Sequence, residues 1–94
     1  MAYRTKEGQE LHDMKVAEIA QSAINQGFVV QADLPGQSKP MEINGHIPDV
    51  IVISNGRIIA VYEIETELGV DLDQHSAFRA WATLNGVSFR VFYA

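Results

Sequence analysis

Apolar residues first recur at helical spacing. Over residues 4–26, Val16, Ile19 and Ala23 fall on one face of a helix, and Gly27 is a suitable residue to end it. The pattern therefore predicts an amphipathic first helix that packs this face against the rest of the chain.

The pattern then changes to that of β-strands. The run "FVVQADL" (28–34) is typical of a strand, and the Pro- and Gly-rich segment "PGQSKPMEING" (35–45) of a mobile loop. Two further β-rich runs, "HIPDVIVIS" (46–54) and "RIIAVYEIET" (57–66), flank an Asn-Gly turn signal and predict a hairpin.

Helical spacing returns over Leu72–Asn85 before Gly86, and "VSFRVFYA" (87–94) predicts a closing strand. The order of elements predicts a single domain over residues 1–94 with an α/β fold, built on a mixed α+β sheet. We expect the first three strands to be antiparallel in sequence order. A right-handed crossover through the second helix lets the fourth strand lie parallel to the third, and both helices should pack on the sheet.

Composition narrows the class of protein. With 47% hydrophobic and 20% charged residues, the 94-residue chain is typical of one globular domain. No apolar run approaches the ~20 residues that span a bilayer, and the N-terminus lacks the pattern of a secretion signal. We therefore expect a cytoplasmic protein without membrane segments. The net charge of -5 argues against a broad basic surface for nucleic acid, although carboxylates that hold cations would contribute to it.

Three acids interrupt the apolar hairpin: Asp49 near its start, and Glu63 and Glu65 near its end. Side chains alternate across a strand, so the two glutamates share one face. Anionic groups on a buried sheet are costly unless hydrogen bonds, protons or a cation compensate them. The acids therefore indicate a candidate metal site.

The geometry of the hairpin decides whether Asp49 joins the glutamates. A plain two-residue Asn-Gly turn would place Asp49 opposite Tyr62, on the wrong face. A three-residue loop over residues 54–56, with its glycine at positive φ, would place Asp49 opposite Val61 and diagonal to Glu63. A bulge elsewhere in the hairpin would have the same effect.

Each helix offers one polar side chain to the same end of the sheet. His12 continues the inward stripe of the first helix, and Gln74 continues a stripe of Ala77, Trp81 and Leu84 in the second. The plainer interpretations are a histidine at the edge of the core and a helix-start glutamine. We take both residues as candidates for the site.

The hairpin residues resemble a known motif. "PD", an apolar strand, a turn and then a strand ending in "YEIET" resemble the PD-(D/E)xK restriction-endonuclease-like superfamily, and the order of elements is similar to its minimal αβββαβ core across nearly the whole chain. The resemblance makes Asp49 and Glu63 metal-binding acids and puts Glu65 in the place of the usual lysine. Gln74 with Phe78 is similar to the "QxxxY" motif of some nuclease branches. His12 lies where many members carry an acid or a histidine.

The resemblance implies a divalent-metal-dependent nuclease, acting on DNA in preference to RNA, in which Asp49, Glu63 and Glu65 hold Mg²⁺ or Mn²⁺. It also implies a homodimer, which would cover the edge strands of so small a domain. The carboxylate of Glu65 leaves two interpretations open. Either the metal takes over the role of the lysine, with Lys39 reaching in from the loop, or catalysis is lost and the chain is a subunit that binds nucleic acid or a partner protein.

Overall fold

The computed structural model describes residues 5–66 and 72–94 and has the predicted order of elements. These are α1 (Lys6–Asn25), β1 (Val29–Ala32), β2 (Val50–Ser54), β3 (Arg57–Glu65), α2 (Leu72–Asn85) and β4 (Ser88–Tyr93). The predicted start of the first helix at Arg4 lies outside the described residues. Within the described residues α1 begins after Thr5, whose hydroxyl accepts a hydrogen bond from the backbone N–H of Gly8.

The four strands form one mixed sheet in the order β1-β2-β3-β4. β1 and β2 are antiparallel, β2 and β3 are antiparallel, and β4 lies parallel to β3 after the crossover through α2. This confirms the predicted α+β class and strand pairing. β1 and β4 are the edges of the sheet, and the predicted homodimer stays a prediction.

The helices cover opposite faces of the sheet. Alternation along β2 and β3 sends one set of apolar side chains toward α1 and the other toward α2. The α1 side contains Val16, Ala20, Ala23, Val30, Ala32, Val50, Val52, Ala60 and Ile64. The α2 side contains Ile43, Ile51, Val61 and Phe78. Because the faces of the central strands are both covered, β2 reads as a continuous apolar run.

The inward face of α2 differs from the predicted one. The buried residues of this helix are His75, Phe78 and Ala82, at helical spacing of three and four. Leu84, placed in the inward stripe by the sequence pattern, is 85% exposed. That part of the prediction is wrong because the true face is rotated by about one residue, 100°. Among the described residues, neither helix is long and apolar enough to cross a membrane.

The β2–β3 hairpin combines a two-residue turn with a bulge. Ser54 pairs with Arg57 across Asn55-Gly56, and both turn residues have positive φ, 52° and 76°, as a type I′ turn requires. Ile53 then pairs with Ile58 but Val52 pairs with Ala60, which leaves one extra residue in β3. The predicted three-residue loop is therefore wrong, whereas the alternative of a bulge and the positive φ of the glycine are confirmed.

The end of the predicted loop (35–45) forms a turn just before β2. Ile43 and His46 form an isolated antiparallel bridge around Asn44-Gly45, which also have positive φ. Ile43 is buried, and the side-chain amide of Asn44 donates to the carbonyl of Ala77 in α2. Asn44-Gly45, like Asn55-Gly56, was thus a turn signal, and it brings the chain against α2 just before the acids.

We predict that Gly56→Ala destabilises the protein by about 1–2 kcal/mol, because a side chain in the left-handed region costs that much. Nothing lies within 4 Å of a Cβ built at Gly56, so the cost should come from the backbone alone. Urea unfolding measures it, with Arg57→Ala at the next, exposed position as control. Equal stability of the two variants would contradict the assignment of the turn.

Candidate metal centre

The three hairpin acids are all buried at one end of the sheet. Asp49, Glu63 and Glu65 are 6%, 1% and 2% exposed. Asp49 lies just before β2, and the glutamates lie in the last three residues of β3. Val50 pairs with Tyr62, so Asp49 lies opposite Glu63 across the strands; its predicted position opposite Val61 is wrong because the extra residue is in β3. The bulge therefore brings the three acids to the same place.

Asp49 occupies the boundary between the two helical layers. Its Oδ2 accepts a hydrogen bond of 2.9 Å from the backbone N–H of Ile64, and its Oδ1 lies 2.9 Å from Nε2 of His12 in α1. Because strand N–H groups point along the plane of the sheet, the carboxylate lies in that plane, beyond the first residue of β2. It is thus held by β3 and α1 at once, rather than projecting wholly onto the face of the glutamates.

His12 lies between two carboxylates. It is 1% exposed, which confirms that it faces the sheet. Its Nδ1 lies 3.0 Å from Oδ1 of Asp13, and its Nε2 contacts Asp49. Each ring nitrogen thus lies within hydrogen-bond distance of a carboxylate oxygen, and the ring is held between Asp13 and Asp49.

Glu63 is tied to both the β2 start and α2. Its Oε1 accepts from the backbone N–H of Asp49 at 3.1 Å, and its Oε2 accepts from the amide Nε2 of Gln74 at 2.9 Å. The predicted approach of Gln74 to the acids is therefore present. Burial, followed by the charge of Asp49 and then that of Glu65, raises the pKa of Glu63 to about 9, although the two hydrogen bonds act in the opposite direction.

Glu65 pairs with a histidine from the first turn of α2. Its Oε1 lies 2.7 Å from Nε2 of His75, which is 7% exposed. Ligand atoms of Glu63, Glu65 and His75 all lie within 4.8 Å of one another. Two ligands of one ion with bonds of about 2.2 Å are at most about 4.4 Å apart. This buried Glu-Glu-His group could therefore hold a metal ion after small side-chain movements.

The Glu-Glu-His group, called the donor group below, shares two of its three residues with the predicted metal site. Glu63 and Glu65 belong to both, but among the described residues the third member of the compact group is His75, with Asp49 adjacent through its backbone N–H. His75 is not among the site residues predicted from the sequence. The signal was present, because His75, Phe78 and Ala82 have the spacing of one helical face, but the stripe was assigned one residue earlier.

Lys39 lies in the loop between β1 and β2. Its Nζ donates to the carbonyl of Leu34 at 3.2 Å and lies 3.9 Å from the carboxylate of Asp33. The lysine is thus engaged beside the end of β1. The idea that it substitutes for the missing motif lysine receives no support from these contacts.

Comparison with protein-family models, with curated proteins and with solved structures gave no match. The resemblance to the nuclease superfamily is therefore an expectation from the "PD" and "YEIET" residues and the order of elements.

We predict that, without metal, the free energy of unfolding decreases as pH rises from about 4.5 to about 9. Folding raises the pKa of Glu63 from 4.5 to about 9, so the native state keeps a proton that the unfolded chain loses. This contribution is complete below 4.5 and is lost as pH approaches 9, at up to about 1.4 kcal/mol per pH unit.

The test is urea unfolding in chelator at pH 5.5 and 8.5, for the wild type and Glu63→Gln. The glutamine keeps an acceptor for the Asp49 N–H but has no proton to lose, so its stability should vary less with pH and exceed that of the wild type at pH 8.5. Glu18→Gln, at an exposed position of α1, is the control. The same pH dependence in all three proteins would contradict the protonation of Glu63.

Proposed function

We propose that this chain is a divalent-metal-dependent nuclease that hydrolyses phosphodiester bonds, in DNA in preference to RNA. The observation that carries the proposal is the buried group of Glu63, Glu65 and His75, whose ligand atoms lie within 4.8 Å of one another. Two of its members are the acids of the "YEIET" segment. A metal donor group at the end of this strand is what the resemblance to the PD-(D/E)xK superfamily implies.

The topology supports the same proposal. The sheet has the antiparallel, antiparallel and parallel pairings expected of an αβββαβ core, with a helix on each face. The bulge brings Asp49 beside Glu63, as the motif requires. We therefore include a restriction-endonuclease-like core in the proposal.

The donor set fits a divalent cation. Two carboxylates and an imidazole are ligands that such ions accept, and the pKa of Glu63 is raised by its burial and then by the neighbouring charges of Asp49 and Glu65. When bound, the ion supplies Lewis-acid stabilisation of the phosphate and lowers the pKa of a bound water.

The surrounding residues hold the acids in place. Gln74 donates to Glu63 and so fixes one carboxylate oxygen, while the N–H of Asp49 fixes the other. His12 and the N–H of Ile64 do the same for Asp49. The side chains of the donor group are nine-tenths or more buried, so charges there are weakly screened and act strongly on one another.

The proposal predicts cleavage of DNA that requires a divalent ion. Purified protein is incubated with plasmid, single-stranded and branched DNA, and with RNA, in Mg²⁺, Mn²⁺ or EDTA. Glu63→Gln should lower the cleavage rate at least about 100-fold, at the upper end of the losses seen when residues supporting a metal site are changed. Glu18→Gln, the same change on the exposed face of α1, should leave the rate unchanged.

Two results would overturn the enzyme proposal. Cleavage that persists in EDTA or in Glu63→Gln would come from a contaminating nuclease. Absence of cleavage on every substrate, with equal DNA binding by the wild type and Glu63→Gln, would favour the alternative of a catalytically inactive subunit that binds nucleic acid or a protein partner.

A further inference from the structure

We infer that His75 makes this centre selective for a first-row transition ion such as Mn²⁺ over Mg²⁺. The inference deepens the proposed function and rests on the metal site proposed there. It concerns which ion the three donors select, and it can hold whether or not the bound ion supports catalysis.

The chemistry of the donors distinguishes Mg²⁺ from the transition ions. Mg²⁺ is a hard cation that prefers oxygen ligands and retains several waters. Imidazole nitrogen is a good ligand for the divalent transition metals, whereas carboxylate suits Mg²⁺, Ca²⁺ and Mn²⁺ alike. In a group of Glu63, Glu65 and His75, the imidazole nitrogen of His75 is the donor that distinguishes transition ions from Mg²⁺.

The imidazole nitrogen of His75 is placed against the acids. Nε2 of His75 lies 2.7 Å from Oε1 of Glu65, on the side of the ring that faces the acids. The two atoms face each other at hydrogen-bond distance, and a cation held between them would contact both. His75 is 7% exposed and Glu65 is 2% exposed, so solvent has little access to compete for either atom.

The ring of His75 is held in place by its neighbours. His75 lies on α2, next to Gln74, which donates to Glu63. The ring also lies edge-on to Phe89 of β4, with centroids 6.2 Å apart. Contacts from α2 and β4 thus fix the nitrogen relative to both glutamates. A donor held in place contributes its preference for one ion over another at little cost in side-chain entropy.

Titration calorimetry with MnCl₂ and MgCl₂ tests the inference on the full chain. We expect the Kd for Mn²⁺ to be at least about tenfold lower than that for Mg²⁺. His75→Asn substitutes an amide oxygen for the imidazole nitrogen and should bring the two Kd values together, chiefly by weakening Mn²⁺ binding. His46→Asn is the matched control, because His46 lies outside the donor group and contacts Phe78.

A second measurement does not depend on whether the variant folds. Electron spin-echo spectroscopy of Mn²⁺ bound to the wild type should show the coupling of a directly bound imidazole ¹⁴N nucleus. The coupling should persist in His46→Asn. The inference would be overturned if Mn²⁺ bound without this coupling, or if the wild type bound Mn²⁺ and Mg²⁺ with equal affinity. Either result would leave a metal-dependent nuclease in place.

The failure of the inference and that of the proposed function are distinguishable. If neither ion binds the wild type, both are wrong. If Mn²⁺ binds selectively with nitrogen coupling but no nucleic acid is cleaved under the same conditions, the inference holds and the nuclease proposal is wrong.

Discussion

The carboxyl groups of Asp49, Glu63 and Glu65 are buried at one end of a small sheet. The remaining structure at that end compensates the cost of removing these groups from water. Transfer of an ionised carboxylate into a protein interior is costly unless donors, a proton or a cation meet it. Each acid has different hydrogen-bond partners. Asp49 has a histidine and a backbone N–H, Glu63 has a backbone N–H and an amide, and Glu65 has the other buried histidine.

This requirement ties the helices to the sheet by polar as well as apolar contacts. His12 connects α1 to the start of β2, and Gln74 and His75 connect α2 to the end of β3. A hydrogen bond to a charged group contributes about 1.5–3 kcal/mol, while the desolvation of each ion costs several kcal/mol. The cluster therefore specifies where the helices lie more than it adds to stability, which is a common property of functional sites.

Sequence periodicity was sufficient for the elements and their pairing, because the long apolar runs and Gly stops leave few alternatives. It also identified His12, Gln74 and the three acids as neighbours. The local geometry was less accessible. A bulge at Ile59 has no clear signal in "RIIAVY", where every residue suits a strand, and the choice between loop and bulge depends on packing against both helices. His75 was missed because Gln74 and His75 are adjacent, and a short helix allows two phases of the apolar face.

The sequence separation of the cluster has a kinetic consequence. His12 and Asp49 are 37 residues apart, and Asp49 and Glu63 are 14 apart. The contact of His12 with Asp49 thus forms only when α1 has docked on the formed hairpin, and distant contacts of this kind carry a loop-closure cost during folding. Interactions absent from the folding transition state alter the unfolding rate rather than the folding rate. If α2 docks on β3 after that transition state, a cation held by Glu63, Glu65 and His75 would prolong the lifetime of the native protein without hastening its formation.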